Sequence, residues 1–152
     1  EQVPGLQAVV VPVGGGGLLA GVGVALTGSG AGVVGVQSTA TTAMHAAFEA
    51  GGVVPVDDPA VTLCDGLAGE TEPAAYERAR AVTDAIHLVD EARVAPAIRD
   101  LYGREGIVAE GSGAVGIAAI LAGAVHLAGP AVVVISGGNI DMSRLAHIFA
   151  GD

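Results

Sequence analysis

One stretch limits the fold more than any other. Val9-Val10-Val11-Pro12-Val13 runs into four consecutive glycines, Gly14 to Gly17, and then into the apolar pattern Leu18-Leu19-Ala20. A β-branched run of this kind reads as a strand buried on both faces, as the central strands of a parallel sheet are. Glycines let successive backbone N–H groups turn toward one anion, and a helix beginning near Leu18 aims the positive end of its dipole at the same point. The stretch therefore reads as strand, phosphate cradle and helix. At the far end, Val132-Val133-Val134-Ile135 closes in Ser136-Gly137-Gly138-Asn139. In an open parallel sheet this puts a hydroxyl at a strand's carboxyl end, where such folds bind ligands.

The pattern between these two points alternates strand and helix. Strands are expected at Ala8 to Val13, Val33 to Gln37, Ile86 to Val89 and Val132 to Ile135, the last one buried. Helices are expected at Leu18 to Leu26, Thr41 to Ala50 behind a Ser38-Thr39 cap, and Tyr76 to Val82 after Pro73. Three more follow. One is capped by Asp90, with Val94, Ile98 and Leu101 inward and Arg93, Arg99 and Asp100 in water; the others are Ala114 to Ala122 and Asp141 to Phe149. Asp57-Asp58-Pro59 and Leu63 to Glu70 are turn-rich and expected to wander over the surface. The fold class is α/β, an open and mostly parallel sheet flanked by helices.

With 152 residues, a single domain covering 1–152 is expected. Of 22 charged residues, 17 lie between Asp57 and Glu110, so the two ends read as buried. A net charge of −10 without clustered arginine argues against nucleic acid or an anionic membrane as partner. The uncharged tracts Leu6 to Leu26 and Ala114 to Val134 fail as membrane spans, because each is broken by glycine and proline and lacks basic flanks. One cysteine, Cys64, allows no internal disulfide, which points to a reducing cytoplasm and a small buried hydrophobe. His45, His87, His126 and His147 fall on separate elements at no ligand spacing.

Gly15-Gly16-Gly17-Leu18-Leu19-Ala20 formally meets the dinucleotide fingerprint, yet the next strand ends in Gln37 where an acidic ribose ligand is needed. A nucleoside triphosphate loop needs a lysine, and the sequence contains none. A compact phosphate ester held by backbone remains.

Four ordered blocks sharpen this: Val11-Pro12-Val13-Gly14-Gly15-Gly16-Gly17-Leu18, Cys64-Asp65-Gly66-Leu67-Ala68, Glu110-Gly111-Ser112-Gly113-Ala114 and Ser136-Gly137-Gly138-Asn139-Ile140-Asp141. Together they resemble the carboxy-terminal half of the threonine/serine dehydratase and serine racemase family, pyridoxal-phosphate enzymes of the tryptophan-synthase-β-like fold. The resemblance implies that the N–H groups of Gly14, Gly15, Gly16, Gly17 and Leu18 hold the phosphate of pyridoxal 5'-phosphate and that Ser136 bonds the pyridine nitrogen. It also implies that Gly66 passes beside the ring and that Glu110 lies near the floor. In this family a Schiff-base lysine precedes the cradle, so the chain is expected to be the later part of an enzyme about twice as long and inactive alone. The complete enzyme is expected to take L-threonine or L-serine as an ammonia-lyase. No threonine-sensing regulatory domain is expected after Asp152, so a catabolic or unregulated form is expected rather than the long biosynthetic one. Where relatives place a divalent cation, this chain has Gln37, Thr42 and Ala43, so no metal is expected. Half a sheet leaves an edge and an apolar face, which predicts homo-oligomers. A non-catalytic module that binds a phosphate ligand or serves assembly is the alternative.

Overall fold

The computed structural model describes residues 2–57 and 61–151. Asp58 and Pro59, expected in a turn, fall outside them. Four parallel strands, β1 (Ala8–Pro12), β2 (Gly32–Ser38), β3 (Ala85–Val89) and β4 (Ala131–Val133), form one sheet in the order β3-β2-β1-β4. Val9 pairs with Val33 of β2 and Val132 of β4, which fixes the register at the centre.

Six helices cover the two faces. On one face, α1 (Gly17–Ala25), α2 (Ala43–Ala50) and α3 (Pro73–Arg80) enclose Val9, Val11, Val13, Leu19, Met44 and Tyr76. On the other, α4 (Val94–Glu105), α5 (Gly111–Leu121) and α6 (Met142–Ala150) enclose Val10, Val36, Val89, Ile98 and Val115. The alternation of Val9 and Val11 against Val10 is the period-two pleat, with both faces dry. The small residues of α5 let it lie close on the sheet: a side chain at Gly116 would touch Val10 at 3.4 Å and Val133 at 3.0 Å.

The chain adds β2 and β3 on one side of β1 and then returns to place β4 on the other. That reversal makes the carboxyl ends of β1 and β4 a topological switch point, the place where open parallel sheets bind ligands.

Five expectations need correction. β4 has three half-exposed residues, because it is the sheet edge and has a partner on one side only. The carboxy-terminal end is correspondingly open, with Met142 77% exposed. Leu63 to Glu70 does not wander, since Cys64 and Leu67 enter the core beside α4 and α5. Arg99 is half-buried and donates to the Ile148 carbonyl at 2.6 Å, tying α4 to α6. The α2 cap is not Ser38 or Thr39, for Ser38 Oγ accepts from the Ala40 N–H, and Gln37 Oε1 accepts from the His45 N–H at 2.8 Å. Among the described residues, no helix is long and apolar enough to cross a membrane.

Candidate cofactor site

The glycine run sits where β1 ends. Gly16 is the α1 N-cap in the left-handed region, φ 89°, and a side chain there would strike the Met44 methyl. Gly16 is therefore glycine for the turn and the core, whereas Gly15, Gly17 and Leu18 are exposed. Among the described residues, nothing accepts from the N–H groups of Gly14 to Leu19, and a helix of nine residues adds its dipole there.

A chain of close approaches leads from this cradle to Ser136. A side chain at Gly14 would sit 3.3 Å from Leu67 Cα, so the Asp65–Leu67 turn walls the cradle. A side chain at Gly66 would meet Ser112 Oγ at 2.9 Å. Gly66 is thus required by the α5 start behind it. Ser112 Oγ is buried without a hydrogen-bond partner among the described residues. At the far wall, a side chain at Gly137 would strike the Glu110 carboxylate, and the Glu110 N–H donates to the Gly137 carbonyl at 3.1 Å. Ser136 itself is exposed, two residues past Val134, whose N–H donates to Val10 of β1 at 2.9 Å. Gly14 to Leu18, Gly66, Glu110 and Ser136 thus share the carboxyl edge of the sheet. An exposed ion pair at 3.0 Å, Arg144 to Asp65, spans the rim from α6 to the Gly66 turn.

Two nearby side chains matter that patterns along the sequence do not flag. Gln37 is fully buried, and its Nε2 donates to the Val13 carbonyl at 3.0 Å, so one amide joins the residue before the cradle to the α2 start. Glu91 Oε1 accepts from Thr62 Oγ1 at 2.7 Å and from the Leu63 N–H at 2.6 Å. Cys64, next in the chain, is buried, and its thiol is pushed up to about 12, first by burial and then by the Glu91 charge, against a hydrogen bond from Ser38. Among the described residues, no group of three His, Cys, Asp or Glu is placed to hold a metal ion.

A cavity of about 610 Å³ lies at the opposite edge, around Gly28, Gly32 and Asp84, away from every one of these residues. Its walls are the amino ends of β2 and β3, so it is unrelated to the cradle.

The cradle fits a phosphate ester on these grounds: unclaimed N–H groups, a helix amino end, and a wall built for close approach. Comparison with known proteins points the same way. The model of a family described as pyridoxal-phosphate dependent enzyme matches residues 1–138. A putative threonine dehydratase of Sinorhizobium fredii is 40% identical over 99% of this chain and 47% of its own length. A threonine deaminase from T.th. superposes with a TM-score of 0.82 at 33% identity, covering 90% of this chain and 51% of that one. Maize serine racemase gives a TM-score of 0.86 at 25% identity over 99% and 48%. The chain belongs to the pyridoxal-phosphate-dependent enzyme family. Its fold is the one found in threonine deaminase and serine racemase, as the four sequence blocks implied, and it spans about half the length of these relatives.

Proposed function

We propose that this chain is the phosphate-holding portion of a pyridoxal-phosphate-dependent ammonia-lyase acting on small hydroxyamino acids of the L-threonine or L-serine type. What supports the reading is that the glycine cradle follows β1 and the Ser136 segment follows β4, its parallel neighbour, on the same side of the sheet. In it, the N–H groups of Gly14 to Leu18 bind the phosphate, and Ser136 donates its hydroxyl proton toward the pyridine nitrogen. Gly66 would leave room for the ring, and Glu110, packed on Gly137, would back the Ser136 segment. The bound cofactor supplies an electron sink for breaking bonds at the amino-acid α-carbon, and a neutral serine partner keeps that sink moderate, which suits β-elimination.

The sequence holds no lysine, so no ε-amine of this chain can attach the cofactor or move the α-proton. Alone, the 152-residue chain is therefore inactive as a dehydratase and binds the cofactor reversibly. In this reading the lysine comes from the half of the enzyme that this chain does not span. The exposed β4 edge and a groove of about 600 Å³ lined by Tyr102, Ile140, Met142 and Phe149 support self-association.

The test is incubation with pyridoxal phosphate, read by titration and, after borohydride reduction, by mass measurement. With no lysine to trap it, no internal adduct is expected, so the deciding readout is the unreduced titration: reversible, saturable binding of pyridoxal phosphate is expected, and its absence refutes the reading. The absence of lysine favours one other reading, a non-catalytic phosphate-binding or assembly module. That reading requires inorganic phosphate to bind as tightly as pyridoxal phosphate.

A further inference from the structure

Glu91 lies outside the candidate site, in the short turn Glu91–Arg93 that follows β3. Its surroundings are nevertheless directed at the site. Oε1 accepts from Thr62 Oγ1 at 2.7 Å and from the Leu63 N–H at 2.6 Å, across 29 and 28 residues of sequence. Thr62 Oγ1 in turn accepts from the Cys64 N–H at 2.9 Å, and the Glu91 N–H donates to Thr39 Oγ1 at 3.2 Å, anchoring the carboxylate's own backbone to the end of β2. Hydrogen bonds to an ionised acceptor are the stronger kind, and here both go to a segment with no ladder or helix of its own.

That segment continues directly into the wall. Three residues after Leu63 comes Gly66, packed on Ser112, and then Leu67, packed on Gly14. The Leu63 carbonyl also abuts Gly111 at the first position of α5. The wall therefore has two ends to be held: its downstream end is fixed by burial of Leu67, and its upstream end by the Glu91 carboxylate.

We propose that Glu91 is a positioning residue of the cofactor site: its carboxylate clamps Thr62 and Leu63 and so holds the Gly66–Leu67 wall against Gly14 and Ser112. The inference rests on the proposed function for what the wall faces, but the clamp is testable without any ligand. Cys64 is the single cysteine of the chain and is buried inside the clamped segment, so its labelling by Ellman's reagent reports opening of that segment.

The experiment compares Glu91→Ala and Glu91→Gln with the parent in the 152-residue chain. Expected for Glu91→Ala is Cys64 labelling faster by about tenfold or more in native buffer, with pyridoxal phosphate affinity reduced by a similar factor. Glu91→Gln, whose amide oxygen accepts the same two bonds, keeps labelling and affinity within about threefold of the parent. Both variants remove the negative charge beside the thiol, so equal acceleration in the two makes the effect electrostatic and overturns the clamp. Labelling of Glu91→Ala at the parental rate overturns it as well. Should Glu91→Ala not fold, Thr62→Val removes the Thr62 bond to Glu91 together with the one Thr62 Oγ1 accepts from the Cys64 N–H, leaves the Leu63 bond, and is expected to speed labelling; a parental rate there refutes the proposal. If the parent binds no pyridoxal phosphate while Glu91→Ala alone frees Cys64, the cofactor reading fails and the clamp stands.

Discussion

Replacing Gln37 by leucine tests how the cradle is anchored. The residue is fully buried, and its amide makes two bonds that no other group replaces, to the Val13 carbonyl and the His45 N–H. Leucine has a similar volume, so little cavity forms, but one acceptor and one donor lose their partners. Each buried orphan costs about 1–3 kcal/mol. The gain from burying an aliphatic side chain in place of an amide offsets about 1–2 kcal/mol. The net expectation is a loss of about 2 kcal/mol, a large share of the roughly 5–15 kcal/mol of a typical domain. Urea unfolding reads it as a lower midpoint at an unchanged slope. Because Val13 immediately precedes Gly14, inorganic phosphate affinity should fall with it. A carboxylate in place of the amide turns a lone pair toward the Val13 carbonyl, so Gln37→Glu should be the worse variant at neutral pH and recover as acid protonates the new carboxyl. A Gln37→Leu chain as stable as the parent would refute the bridge.

Other outcomes follow from the same coordinates. Thr83 Oγ1 is buried without a partner among the described residues, so Thr83→Val should be neutral or stabilising by up to about 1 kcal/mol in the same urea assay. Gly111→Ala drives a methyl into the Leu63 backbone carbonyl and should cost about 1–3 kcal/mol, while Gly103→Ala, in α4 with nothing within 4 Å, should gain about 0.5–1 kcal/mol. The Cys64 thiol has a folded value of about 12 against 9.0 when exposed. A raised value contributes stability that is complete below pH 9 and lost as pH climbs toward 12. The stability difference between the parent and Cys64→Ala should therefore shrink by about 1 kcal/mol between pH 9 and pH 10, measured by urea titration at each pH.

The parts legible in the sequence are those whose cause is local. The β-branched run into Gly14–Gly17 announces β1, the cradle and α1, because period and backbone freedom are properties of neighbouring residues. The strand expected to lead straight into Ser136 stops at Val133, so Ser136 stands three residues beyond β4 rather than at its end. The exposure of β4 is not legible, because Val132 to Ile135 carries the same apolar signature whether a strand has one partner or two, and only sheet order decides. Leu63 to Glu70 reads as a loop by composition, yet it is the site's wall, since Glu91 and Gly111 reach it from far along the chain. Gln37 is legible only as a missing carboxylate; that its amide spans Val13 and His45 is a fact of packing.

The most direct test of the account is titration of the isotopically labelled 152-residue chain with pyridoxal phosphate, followed by amide chemical shifts. The account predicts saturable shifts of Gly14 to Leu18 together with Ser136 and Gly137, and none around Gly28 to Gly32. Shifts confined to that opposite edge, or a cradle that responds while Ser136 and Gly137 stay still, would contradict it.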